Sequence, residues 1–180
     1  MKKTITFLFT ACIICLFSSC SSATPEEYFS IATLNSNLLY GFAGDGMQSE
    51  LKNPSVKLID EKTMATAPMK RAEVVKDKLQ FVESSYKKVK GLGSNKEADE
   101  MIKASLALYE FVIPVYKNEY TQLAALYDEA ATAEKIATME KNISDKYATK
   151  FNALYNELHT AGMAYATKHG MKVREVNPAP

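Results

Sequence analysis

Between Met69 and His169 the chain holds only four residues that punctuate structure, Gly91, Gly93, Pro114 and Gly162. A β-sandwich or barrel of that length would need a turn signal every 8–12 residues or so, and the places for those turns are missing. Apolar residues instead recur at three- and four-residue steps, the period of helices with one buried face. The expected class is therefore all-α, with four helical blocks and no internal repeat.

Block one is expected from Pro25 to Phe42, with Pro25 suited to a first helical turn and Tyr28, Ile31, Leu34, Leu38 and Phe42 on one side. The cluster Gly41, Gly44, Asp45 and Gly46 ends it. From Gly46 to Ala67 the pattern is poor, and Asn53-Pro54 and Ala67-Pro68 bias the residue before each proline away from helix. This stretch, residues 43–67, reads as a loop with one short helix around Val56 to Met64. Block two spans about Met69 to Lys90, carrying Ala72, Val75, Leu79, Val82, Tyr86 and Val89 on one seam and Gly91 as its C-cap.

Ser94 and Glu97 have the spacing of a capping box for block three, whose interior positions are Met101, Ile102, Tyr109, Val112, Tyr116, Tyr120, Leu123 and Tyr127. Block four places Ile136, Ile143, Tyr147, Phe151, Leu154, Leu158, Ala161 and Tyr165 on a stripe that closes at Gly170. Read as one rod, residues 95–169 would exceed about 110 Å, longer than a domain of this size can cover. A turn near Asp128 to Ala133, with Asp128 or Thr132 as N-cap, resolves this. The expectation is an antiparallel four-helix bundle with a long hairpin of helices 3 and 4, helix 3 being kinked at Pro114 because proline removes a helical hydrogen bond.

The N-terminus carries a different message. Lys2 and Lys3 precede thirteen apolar-rich residues, Ile5 to Phe17, a secretory h-region too short for the roughly 20 residues of a spanning helix. Leu16-Phe17-Ser18-Ser19-Cys20 resembles the lipobox of bacterial lipoproteins, in which the cysteine thiol takes a diacylglycerol and the freed amine a further, palmitate-type chain. Phe17 departs from the usual Leu. Cleavage near Ala23 by the general signal peptidase is the competing outcome. The expected organisation is a signal peptide over 1–19, a lipidated tether over 20–24 with Cys20 as the acylation site, and one helical domain over 25–180. Because Ser21 and Ser22 lack the Asp that commonly retains lipoproteins at the inner membrane, the outer membrane is the expected location, on its periplasmic face or at the cell surface.

Several functions are disfavoured by composition. Loss of residues 1–19 takes away Lys2 and Lys3 and no acid, leaving 20 basic against 21 acidic side chains, and Arg71 and Arg174 are the only arginines. No basic stripe for nucleic acid follows. Cys12, Cys15 and Cys20 are the only cysteines, so the domain has no disulfide or thiol chemistry. A carboxylate-bridged metal pair in a bundle wants Glu-x-x-His on two helices, whereas His159 and His169 have Asn156 and Ala166 three residues before them. No catalytic set, cofactor motif or metal site is expected, and the reading is of a protein that is not an enzyme.

Leu106-Ala107-Leu108-Tyr109-Glu110-Phe111, Tyr116-Lys117-Asn118-Glu119-Tyr120 and Ala164-Tyr165-Ala166-Thr167-Lys168-His169-Gly170-Met171 together resemble a family of helical bacterial surface lipoproteins named from a spirochaete member. The resemblance covers the C-terminal part of the chain and departs from the family pattern over residues 25–66. It implies a lipid-anchored, extracytoplasmic helical domain and brings no enzymatic activity with it.

All ten tyrosines lie after the signal sequence. Tyr109, Tyr116 and Tyr120 on block three either pack the core or, with Tyr155, form a cleft or hot-spot surface for a ligand or partner. Two functions stay open: a non-enzymatic interaction or scaffold module of the cell envelope, and a carrier that holds a small apolar or aromatic ligand between its helices. The membrane, an envelope protein and such a ligand are the partners implied.

Overall fold

Three helical rods, laid side by side in alternating direction, carry the core. The computed structural model describes residues 23–173. The chain enters through α1 (Pro25–Ala32), a 3-10 segment (Leu34–Leu39) and α2 (Asp45–Lys52), then forms a hairpin of β1 (Val56–Asp60) and β2 (Ala65–Pro68). The first rod is α3 (Arg71–Lys90); the second is α4 (Asp99–Val115), a π turn (Tyr116–Tyr120) and α5 (Thr121–Asp128); the third is α6 (Ala133–Lys168). The protein is mostly helical, and the two-stranded hairpin corrects the all-α expectation.

The first expected helix is broken. α1 starts as the sequence suggests, with Pro25 in its first turn and Thr24 and Glu27 in a reciprocal capping box. It stops at Ala32 because the next residues draw the backbone into local bonds: Thr33 Oγ1 donates to the Phe29 carbonyl and Ser36 Oγ to the Thr33 carbonyl, each at 2.6 Å. At Gly41, φ is +68°, and a Cβ there would lie 2.9 Å from the Gly46 backbone. Only glycine allows this turn, which drops Phe42 into the core. The segment from α1 to α2 thus packs against the rods as short, interrupted pieces rather than as one continuous helix.

α3 follows its expected seam, with Val75, Val82 and Val89 buried one heptad apart. The Ser94 capping box is absent. Asn95 Oδ1 accepts from the Glu97 amide instead, making a local turn, and α4 begins only at Asp99. Pro114 sits inside α4, and one residue beyond Val115 the helix widens into the π turn, where Thr121 Oγ1 donates to the carbonyl of Tyr116 five residues back. The expected proline irregularity therefore takes the form of a wide turn that begins two residues after it.

The turn between the last two rods lies where the length limit required it. α5 ends at Asp128, Ala130 adopts φ +53°, and Thr132 caps α6 by accepting from the Lys135 amide. Asp128 has another task, since its carboxylate accepts from the amides of Arg71 and Ala72 at 2.9 and 3.0 Å and so caps α3. α1 is fastened to the rods by Ser105 Oγ, buried and donating to the Ala32 carbonyl at 2.7 Å, and by a close approach of Thr33 to Gly162.

These contacts define two ends. At one, where the chain enters, the Tyr28 hydroxyl donates to the Gly93 carbonyl, and Lys168 at the close of α6 pairs with Glu97 at 2.9 Å. At the other lie the start of α3, the α5–α6 turn and the base of the hairpin. α3 connects them, and its 20 residues span about 30 Å.

Candidate interaction surface

The tyrosines singled out from the sequence belong to the core. Tyr109, Tyr116 and Tyr120 are 0, 1 and 1% exposed, which removes them from any surface a partner could reach. Phe42 fills the space between rods where a ligand cleft would open: its ring lies 5.2 Å from Tyr116, 5.6 Å from Tyr120 and 5.0 Å from Phe151. Rings so close leave no room for a ligand among them. The Tyr120 hydroxyl donates to the Phe42 carbonyl, so the neutral phenol is the useful form, and burial pushes its pKa up. Burial also pushes the Tyr109 hydroxyl up to about 12. Tyr155 continues the aromatic series from Phe151 to the rim and is half-buried. Cys20 lies outside the described residues, as do Arg174 to Pro180.

The surface that does stand out is the hairpin. Val56, Leu58, Ile59 and Met64 are 62, 47, 60 and 69% exposed, and every residue of β1 faces solvent. Scattered exposed apolar residues carry no message, but four large ones within nine residues concentrate exposed apolar surface on one small hairpin. The short helix expected around Val56 to Met64 is replaced by these strands. The strand signal is the Val-Lys-Leu-Ile run with β-branched residues, bounded by Pro54 and Pro68.

The hairpin is firmly mounted. Asp60 Oδ1 accepts from the amides of Lys62 and Thr63 at 2.8 and 3.2 Å, which shapes the turn and lowers the pKa of the carboxyl. Met64 takes φ +56° at the return into β2, and a register shift between Leu58 and Asp60 accommodates it. At the base, Lys57 pairs with Glu73 at 2.5 Å, and the Arg71 guanidinium donates to the Leu51 carbonyl at 3.1 Å. Lys52 reaches the buried Glu140 at 3.2 Å, and Glu140 also accepts from the Tyr127 hydroxyl at 2.7 Å. Burial first, and this carboxylate second, raise the Tyr127 pKa, so the phenol stays a donor. Glu140 is thereby a structural acid that ties α2, α5 and α6 together beneath the hairpin.

Other concavities offer less. An open depression of about 510 Å3 beside the α5–α6 turn is lined by Leu126, Thr132, Lys135, Met139 and Asn142 among others, with no convergent set of reactive groups. Among the described residues, no group of three or more His, Cys, Asp or Glu side chains is placed to hold a metal ion, and no helix is long and apolar enough to cross a membrane. No protein-family model, curated protein or solved structure matches this chain.

Proposed function

We propose that this protein is a lipid-anchored, extracytoplasmic interaction module of the cell envelope, related to the surface lipoproteins it resembles, and that it acts by binding rather than by catalysis. Acylation at Cys20 would fix it to the outer membrane, and the helical body, a four-element antiparallel arrangement with a broken first element, would serve as a spacer. One observation carries the reading: the exposed apolar hairpin is built on the end of the rods opposite the end where the chain enters. A tether at residues 20–24 then puts the membrane at one end and the patch at the other, separated by about the 30 Å of α3. An apolar patch so placed is oriented for a partner beyond the anchoring membrane.

The test uses the processed protein in its own cells. Replacing Val56, Leu58, Ile59 and Met64 together with Thr or Gln is expected to abolish its cross-links to other envelope components, while the circular dichroism of the purified variant stays helical. Cys20→Ser is expected to release the protein from the membrane fraction. A full set of cross-links in the hairpin variant would count against the interaction surface, and membrane retention of Cys20→Ser against the anchor.

A further inference from the structure

We propose that Met64 is a reversible oxidation site: hydrogen peroxide converts its thioether to the sulfoxide ahead of every other methionine in the folded domain, and the hairpin loses apolar surface as a result. This rests on the interaction-module reading and names a way of regulating that surface.

Access supplies the first ground. A thioether does not ionise, so contact between the sulfur and the oxidant, rather than a shifted pKa, sets the order in which methionines react. Seven methionines follow the signal sequence. Met47 and Met101 are 2 and 1% exposed and sit in the core, and Met69, Met139, Met163 and Met171 are half-buried. Met64, at 69%, is more exposed than any of them. The backbone supplies the second ground. Met64 holds φ +56°, in the left-handed region that Gly, Asn or Asp fill at least cost. Neither burial nor backbone preference calls for methionine there. What the residue adds is an oxidisable sulfur on the same hairpin as the exposed Val56, Leu58 and Ile59, whose hydrocarbon side chains peroxide leaves alone.

The step needs peroxide alone. A sulfur lone pair attacks one peroxide oxygen; an S–O bond forms, the O–O bond breaks, sulfur is oxidised by two electrons, and the other oxygen leaves as water with both protons. The sulfoxide is polar, chiral and a hydrogen-bond acceptor. Asp60, Glu61, Lys62 and Thr63 are already exposed and polar, so oxidation leaves the whole turn from Asp60 to Met64 without an apolar side chain. The four large exposed apolar residues of the hairpin become three. A methionine sulfoxide reductase, drawing two electrons from thiols, reverses the change. Met64 does not belong to the core or to the side chains packed on it, so the helices are expected to stay intact in either state.

The experiment treats the processed protein with a small excess of hydrogen peroxide and follows all seven methionines by peptide mass mapping. Met64 is expected to gain one oxygen several-fold faster than the four half-buried methionines, with Met47 and Met101 last, and the seven rates are expected to converge in urea. The singly oxidised protein is expected to elute earlier from a phenyl matrix with its circular dichroism unchanged, and the reductase to restore the original elution. Met64→Leu, which keeps the apolar surface and has no sulfur, is expected to elute alike before and after the same dose; Met64→Gln is expected to elute early without peroxide. Added to washed envelopes, the oxidised protein is expected to form fewer hairpin-dependent cross-links than the untreated one, and peroxide-treated Met64→Leu to form as many as before treatment. Oxidation of Met64 no faster than of the half-buried methionines, unchanged elution of the singly oxidised protein, or an equal loss of cross-links in Met64→Leu overturns the proposal. Selective oxidation and earlier elution, with cross-links that never depended on the hairpin, would sink the interaction module and leave the oxidation site standing.

Discussion

Gly162→Ala should destabilise the protein, and Thr33→Ser should reverse the sign of that effect. In a helix interior, Ala is favoured over Gly by about 1 kcal/mol, so on propensity alone the substitution stabilises α6. A Cβ at position 162, however, would meet the Thr33 methyl carbon at 2.7 Å, with Thr33 Cβ and Phe29 Cε2 both at 3.6 Å. Thr33 cannot rotate away freely, because its Oγ1 is bonded to the Phe29 carbonyl at 2.6 Å. Overpacking of this kind costs about 1–3 kcal/mol, which outweighs the propensity gain and leaves a net loss of about 1 kcal/mol. Serine at position 33 keeps the hydroxyl bond and removes the offending methyl. What remains is ordinary contact at 3.6 Å, so in the Thr33→Ser background Gly162→Ala should stabilise by up to about 1 kcal/mol. Urea denaturation of the four proteins of this double-mutant cycle gives a coupling of about 2 kcal/mol if the packing is right. A Gly162→Ala protein more stable than the parent, with no coupling to position 33, would refute the close approach of α1 to α6.

Three further outcomes follow from buried and capping groups. Tyr120→Phe strands the Phe42 carbonyl in the core and should cost about 1–3 kcal/mol in chemical denaturation, with little change in helix content. Asp128→Ala removes the acceptor for the first two amides of α3 and should cost about 1 kcal/mol, seen as a lower thermal midpoint. Burial raises the folded-state pKa of Tyr109 from its ordinary value of 10.0 to about 12, so its contribution is intact below pH 10. It is lost as pH rises from 10 to about 12, where the unfolded chain ionises first. Tyrosinate absorbance should therefore appear late for this residue, and Tyr109→Phe should flatten the alkaline fall in stability.

The three rods could be read from the sequence because their signals are local. Valines at 75, 82 and 89 fix a seam, and the length of residues 95–169 forces the turn that Ala130 and Thr132 then provide. The N-terminal region could not be read in this way. Its apolar spacing suits a helix through Phe42, yet the Thr33 and Ser36 hydroxyls and the Gly41–Gly46 contact act at distances that periodicity does not measure. Val56 to Met64 has both apolar spacing and strand-forming residues, and periodicity alone does not separate the two. The spacing of Tyr109, Tyr116 and Tyr120 puts them on one inner face, but whether they line a cleft or fill a core depends on Phe42, which arrives from a segment whose course local periodicity does not encode.

The central claim is an acylated chain that carries its hairpin clear of the membrane. Under the proposed processing, which removes Cys12 and Cys15 and blocks the Cys20 thiol, a fluorophore can be placed singly at Ala23→Cys or Met64→Cys. The measurement is quenching of each label by nitroxide headgroup lipids, with the protein purified from its own membranes and reconstituted in phospholipid vesicles. The account predicts strong quenching at position 23 and none at position 64. Equal quenching at both would lay the hairpin on the bilayer, and quenching at neither would remove the anchor; either result contradicts it.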